Sequence, residues 1–243
     1  MPKTLFEGRT ALVTGGAKRL GKAIALGLAR NGANVLVHCH RSVREAQKAA
    51  AEIRALGRSA WVVQGGLEEP AEVEALFAKA WNTSSGFDIL VNSASIFPKS
   101  QLRDFSSEEL TENMQVNAMS PLILGRSLAK KRRGGCIVNL LDSRMVDYDK
   151  EHAAYHLSKR VLWALTRMMA LEFAPQTRVN AVAPGLILPP PGEDESYLER
   201  LKNTNPLKCH GSPQDVARAV VFLVSSPFIT GQVVFVDGGR HLL

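Results

Sequence analysis

Long apolar runs are missing from this chain of 243 residues. None reaches the roughly 18 residues that a membrane-spanning helix requires, and the opening Met1-Pro-Lys-Thr-Leu-Phe-Glu-Gly8 has no apolar signal core. A soluble, cytoplasmic protein without a membrane partner is expected. Cysteine is scarce: Cys39, Cys136 and Cys209 are odd in number, far apart and without C-x-x-C spacing. That argues against a disulfide framework or a cysteine zinc site and fits a reducing compartment. Aromatic residues make up only 6% of the chain, and no basic face is interleaved with them. The excess of Lys+Arg 30 over Asp+Glu 23, a formal charge of +7, therefore suggests a phosphorylated small ligand and no nucleic acid. The densest basic run, Lys130-Lys131-Arg132-Arg133, precedes Gly134-Gly135 and reads as a helix C-terminus, where cations offset the dipole.

What is present is a chain that is 45% hydrophobic, long enough for one compact domain with a sizeable core. Apolar segments at 10–14, 34–37, 60–63, 89–91, 136–140, 179–182 and 233–236 are short, rich in β-branched residues and without polar alternation. Buried parallel strands have this pattern. Helical patterns lie between them at 19–31, 43–56, 70–81, 107–131, 152–174 and 213–224. Strict alternation of this kind predicts an α/β fold: a single Rossmann-type domain over residues 1–243, with a doubly wound parallel sheet of about seven strands. After Pro184-Gly185, the run Pro189-Pro190-Pro191-Gly192 and then Glu193-Asp194-Glu195 interrupt any regular pattern. The stretch 186–206 reads as a lid over a site at the strand ends.

The first predicted strand ends in Thr14-Gly15-Gly16-Ala17-Lys18-Arg19-Leu20-Gly21. Glycine there allows a tight turn and close backbone approach, and the following helix presents its free N–H groups to a pyrophosphate. The second ends in Val37-His38-Cys39-His40-Arg41-Ser42. His40, Arg41 and Ser42 can hold a ribose 2′-phosphate, and no carboxylate stands in that segment to repel it, so NADPH is favoured over NADH. His38 and His40 share a strand face but have no third ligand nearby, so no metal is expected. Tyr155 and Lys159 are four apart and share a helix face, where an ammonium lowers a phenol's pKa and makes it a workable proton donor. His152 and His156 have the same spacing and read as helix-surface residues. Thirteen residues before Tyr155 stands Asp142, which can relay a proton as well as hold an oxygen. A capping role for Asp142, with Ser143 as the catalytic hydroxyl, is the alternative.

Taken in order, the Thr14 to Gly21 turn, Asn92-Ser93-Ala94-Ser95, Asn117, Tyr155/Lys159 and Pro184-Gly185 resemble the motif set of the short-chain dehydrogenases/reductases over essentially the whole chain. Within that family the chain looks most like the pteridine and dihydromonapterin reductases. Arg19, His40-Arg41-Ser42, Ser95-Ile96-Phe97, Asp142 and the ending Asp237-Gly238-Gly239-Arg240-His241-Leu242 carry that likeness. The resemblance implies catalytic roles for Asp142, Tyr155, Lys159 and Asn117, the last positioning Lys159 through water. It implies that Gly15, Lys18, Arg19, Leu20, Gly21, His40, Arg41 and Ser42 contact NADPH, together with Gly66, Leu67, Asn92, Ser93, Ala94, Ser95, Tyr155, Lys159, Pro184, Gly185 and Leu186. It implies that a pterin meets Arg19, Ser95, Phe97, Asp142 and Tyr155, stacked between Phe97 and the nicotinamide. Gly65-Gly66-Leu67 departs from the pattern, since an aspartate that contacts adenine normally ends the third strand. A homotetramer built on helices 107–131 and 152–174 is also implied. The expected activity is NADPH-dependent reduction of 7,8-dihydropterins. A carbonyl reductase using the same cofactor is the alternative, and a catalytically silent dinucleotide-binding protein is the second.

Overall fold

The computed structural model describes residues 4–147, 149–190 and 192–243. Residues 1–3 of the opening segment and Pro191 of the proline run lie outside them. Seven strands, β1 (Thr10–Val13), β2 (Asn34–Cys39), β3 (Ala60–Gln64), β4 (Ile89–Asn92), β5 (Gly135–Leu140), β6 (Thr177–Pro184) and β7 (Val233–Val236), form one sheet. Their order is β3-β2-β1-β4-β5-β6-β7, and every pairing is parallel. Strands buried on both faces need no polar alternation, and β1, β4 and β5 are buried at every position.

The described residues form eight α-helices: α1 (Arg19–Arg30), α2 (Val43–Ala55), α3 (Pro70–Ser84), α4 (Ser107–Met114), α5 (Ser120–Lys131), α6 (Ala153–Glu172), α7 (Glu195–Leu201) and α8 (Pro213–Ser225). One apolar layer packs α1, α2 and α8 on the sheet through Ile24, Leu28, Ile53 and Leu223. The other packs α3, α5 and α6 through Leu76, Phe77, Leu128 and Met169. The chain reverses its winding between β1 and β4, and the crevice this leaves at the carboxyl ends of those strands is where such sheets bind ligands. Among the described residues no helix is long and apolar enough to cross a membrane.

Two expectations need correction. The segment predicted as one helix over 107–131 is α4 and α5 joined by a π-helical turn, Gln115–Met119. Pro121 has no N–H to give the Asn117 carbonyl four residues back, so the ladder widens at the residue singled out for catalysis. The stretch 186–206, expected to be irregular, contains α7. The acidic run that suggested a loop instead starts the helix: Asp194 Oδ1 accepts from the Ser196 N–H at 2.9 Å, and Glu195 sits in the first turn.

Candidate active site

A cleft of about 440 Å³ opens at the switch point, between the glycine turn after β1, the loop after β4 and the end of β6. The turn is shaped for close approach. A Cβ on Gly21 would lie 2.2 Å from the Gly15 carbonyl oxygen, and one on Gly15 would lie 3.0 Å from Ala94 Cα. Thr14 ties the two loops together, its hydroxyl accepting from the Ser93 and Ala94 N–H groups at 3.0 and 3.1 Å. The first turn of α1 carries no acidic residue and no side-chain cap, so its N–H groups remain available to an anion. Arg19 holds φ +52°, a left-handed conformation that costs a non-glycine residue on the order of 1 kcal/mol. Its guanidinium donates to the Pro189 carbonyl at 2.5 Å, linking the turn to the 186–206 segment.

Gly15, Lys18, Arg19, Leu20 and Gly21 line this cleft, as do His40, Leu67, Ser93, Ala94 and Ser95. Asp142, Tyr155, Pro184 and Gly185 complete the expected set there. Arg41 and Ser42 line an adjoining cleft of about 410 Å³ that shares Gly15, Lys18 and His40 with the first. Five residues expected to bind the cofactor or act in catalysis stand outside both linings. Asn92 is buried and donates to Asn139 Oδ1 at 2.8 Å, inside the sheet. Lys159 and Asn117 lie beneath the cleft wall, and Leu186 is replaced in it by Ile187 and Leu188. Gly66 is also absent from the lining: the space above it holds Glu72 and Glu68 carboxylate oxygens, 2.0 and 2.9 Å from where a Cβ would be.

Two titratable residues lining the first cleft were not anticipated. His38 is buried at the end of β2, its Nδ1 accepting from the Gly15 N–H at 3.1 Å. Nδ1 therefore carries no proton, and Nε2–H donates to the Gly65 carbonyl at 3.2 Å. Burial lowers the imidazole from 6.5 to about 4, so neutral His38 pins the glycine turn to the end of β3. Glu68 is the carboxylate missing from the second-strand segment. It reaches across from the loop after β3 to pair with His40 Nδ1 at 3.1 Å, so the expectation of a carboxylate-free 2′-phosphate pocket is corrected. Burial would raise its carboxyl, but the backbone N–H groups of Leu67 and Glu68 and the charges of His40 and Arg41 outweigh burial and hold it low. Neither residue was legible, because each contact joins segments more than twenty positions apart in sequence.

At the catalytic end the Tyr155 hydroxyl donates to Asp142 Oδ2 at 2.9 Å. Asp142 also caps the 3-10 turn Ser143–Met145, its Oδ1 accepting from the Arg144 N–H at 2.8 Å, so the capping and the tyrosine contact coexist. Ser143 Oγ is buried without a hydrogen-bond partner among the described residues. Burial first, and then the Asp142 carboxylate, raise the Tyr155 phenol well above its ordinary value. That corrects the expectation that Lys159 lowers it. Lys159 Nζ sits 5.5 Å from the ring centroid and donates to the Leu140 carbonyl at 2.8 Å, and burial lowers it to about 8. Asn117 ties the loop after β4 to α6: Oδ1 accepts from Ser95 Oγ at 2.9 Å and from the Ile96 N–H at 3.0 Å, and Nδ2 donates to Ser158 Oγ at 3.0 Å. His156, read as a surface residue, is buried with Nε2 2.9 Å from Asp149 Oδ2. Phe97 lies outside the cleft lining, stacked on His152.

A glycine turn over a parallel switch point, joined to a buried Tyr–Lys pair, defines a dinucleotide-dependent oxidoreductase. Residues 15–241 match the family model described as enoyl-(acyl carrier protein) reductase, and the chain belongs to the short-chain dehydrogenase/reductase family. It is similar to FolM alternative dihydrofolate reductase 1 from Brucella canis, solved in complex with NADP. That structure superposes with a TM-score of 0.93 at 34% identity, over 98% of this chain and 96% of the other. It is also similar to LugOII, a promiscuous reductase that catalyses keto-reduction at C1 during lugdunomycin biosynthesis, with a TM-score of 0.91 at 30% identity over 99% and 100%. An uncharacterized oxidoreductase of Mycobacterium tuberculosis is 33% identical over 96% of this chain and 92% of its own length.

Proposed function

We propose that this protein reduces pterins with NADPH, taking a 7,8-dihydropterin such as dihydromonapterin, dihydrobiopterin or dihydrofolate to its tetrahydro form. The observation that carries the reading is the 2.9 Å hydrogen bond from Tyr155 to Asp142 at the cleft, and the likeness to FolM supports it. The glycine turn, the open start of α1 and the group Lys18, Arg41 and Ser42 fit NADPH, which supplies a hydride when bound.

The chain's own residues manage the proton that the neighbouring ring nitrogen takes up. Tyr155 holds that proton firmly, because burial and Asp142 both disfavour a phenolate. Donation by Tyr155 alone would leave a phenolate against a carboxylate. A proton taken up by half-buried Asp142 from the open cleft and passed on as the phenol releases its own avoids two adjacent negative charges. Lys159, fixed to the Leu140 carbonyl, keeps a positive charge near the ring while the transfer occurs.

A ketone reductase is the second reading, supported by the likeness to LugOII; in it Asp142 only holds the carbonyl oxygen through Tyr155. NADPH consumption with dihydropterins and a ketone panel, in the wild type and in Asp142→Ser, separates the two. The relay predicts a loss of about 100-fold or more on dihydropterin and less than about 10-fold on a ketone, in the range general acid catalysis contributes. Equal losses, or turnover of ketones alone, would refute it.

A further inference from the structure

Phe97 leaves the loop after β4 and is 41% exposed at the rim of the site. Two rings fix it in place. The His152 imidazole lies parallel to it, with centroids 3.8 Å apart and 12° between planes, and Tyr155 meets it edge to face at 4.6 Å and 83°. A ring held in this way keeps one orientation beside Tyr155, since turning it would break both contacts.

His152 is itself anchored. Its Nδ1 lies 3.1 Å from Asp149 Oδ1, and the same oxygen accepts from the His152 backbone N–H at 2.9 Å. Asp149 is held in turn by Arg144 and His156, each at 2.9 Å from Oδ2. The backbone completes the junction. Ser100 and His152 form a parallel bridge, and the Ser100 carbonyl accepts from the Ala153 N–H at 2.8 Å. The Phe97 loop and the start of α6 are thus joined by a ring stack and a strand-like pairing, with Asp149 bracing the α6 side, three residues before the catalytic tyrosine.

We propose that His152, anchored by Asp149, is a positioning residue for a flat fused-ring substrate. It backs the Phe97 ring and so sets the plane in which the substrate lies against the Tyr155 hydroxyl. One face of Phe97 is taken by the imidazole, and the substrate meets what remains of the ring. The inference rests on the reading of a flat substrate beside Tyr155, but it does not require that substrate to be a pterin.

The test compares His152→Ala and His152→Phe with the wild type on three substrates: dihydrobiopterin, the fused aromatic ketone 1-tetralone and the acyclic ketone ethyl acetoacetate. His152→Ala is expected to raise KM for the flat substrates about 10-fold, with kcat within about 3-fold, the scale of one lost ring stack. His152→Phe should bring KM back to within about 3-fold, and ethyl acetoacetate kinetics and NADPH affinity should not move. An unchanged KM, an equal loss on the acyclic ketone, or no recovery with phenylalanine would overturn the proposal. If His152→Ala fails to fold, His152→Leu against His152→Phe makes the same comparison. A wild type that reduces 1-tetralone but not dihydrobiopterin ends the pterin reading and leaves the tetralone series to decide on His152. A wild type inert to both flat substrates refutes the inference as well.

Discussion

Acidification should unfasten the cofactor turn through His38. In the fold its Nδ1 must accept from the Gly15 N–H while Nε2–H donates to the Gly65 carbonyl; a second proton on the ring would turn the first contact into two donors facing each other. Burial accordingly lowers the folded pKa to about 4 from 6.5. Because the folded value lies below the unfolded one, the stabilisation is fully present above pH 6.5 and is lost as pH falls toward 4. The full difference is about 3 kcal/mol, of which roughly 2 kcal/mol is gone by about pH 5. Urea unfolding from neutral pH down to about pH 5 measures this, with His38→Asn as the reference. Asparagine keeps an acceptor near Gly15 but does not titrate. The wild type should lose about 2 kcal/mol more than the variant across that interval, and its NADP affinity should fall over the same range. Parallel pH profiles for the two proteins would refute the reasoning.

Three further outcomes follow from the geometry. Gly21→Ala places a Cβ 2.2 Å from the Gly15 carbonyl oxygen, a backbone atom with no room to yield; it should cost about 2–3 kcal/mol in thermal unfolding and abolish detectable NADPH binding by fluorescence. Glu68→Gln removes a partly exposed carboxylate beside His40 and Arg41, and solvent screening limits the gain in NADPH over NADH affinity to about 2- to 5-fold. Equal weakening of both nucleotides would mean instead that Glu68 accepts from the adenine amino group. For Lys159, lowered to about 8 by burial, kcat/KM for NADPH should decline as pH rises above that value, and in Lys159→Arg the decline should move to higher pH, because a guanidinium keeps its charge. A profile that is flat through that range would remove the ammonium from the mechanism.

Much of this architecture was legible because short-range patterns carried it. Seven apolar runs without alternation mark strands buried on both faces, and the spacing of Tyr155 and Lys159 places them on one helix face. The spacing from Asp142 to Tyr155 became a hydrogen bond because the 3-10 turn Ser143–Met145 that follows β5 packs against α6. Contacts across elements were harder. His38 and His40 read as a failed metal pair, yet neutral His38 is a two-sided fastener and His40 pairs with a carboxylate from the next strand's loop. His152 and His156 read as surface residues because nothing local shows that both converge on Asp149. The π turn at Asn117 did have a local sign, the proline four residues later, which periodicity over 107–131 obscured.

The two oxygens of Asp142 explain why a carboxylate can replace a hydroxyl at this position without disturbing the fold. Oδ1 accepts from the Arg144 N–H and starts the turn Ser143–Met145, a local capping task that a serine hydroxyl could also perform. Oδ2 is left to meet Tyr155. A single hydroxyl oxygen spent on the cap would serve the phenol less well, whereas the carboxylate does both and adds a site for a proton. Its charge also holds the phenol neutral, and the turn it caps leads to Asp149, where Arg144, His152 and His156 converge. The proton site and the stacking ring at Phe97 are therefore set by one short segment between β5 and α6. A change there should alter proton delivery and substrate orientation together, and substitutions of Arg41 or Ser42 in the adjoining cleft should alter neither.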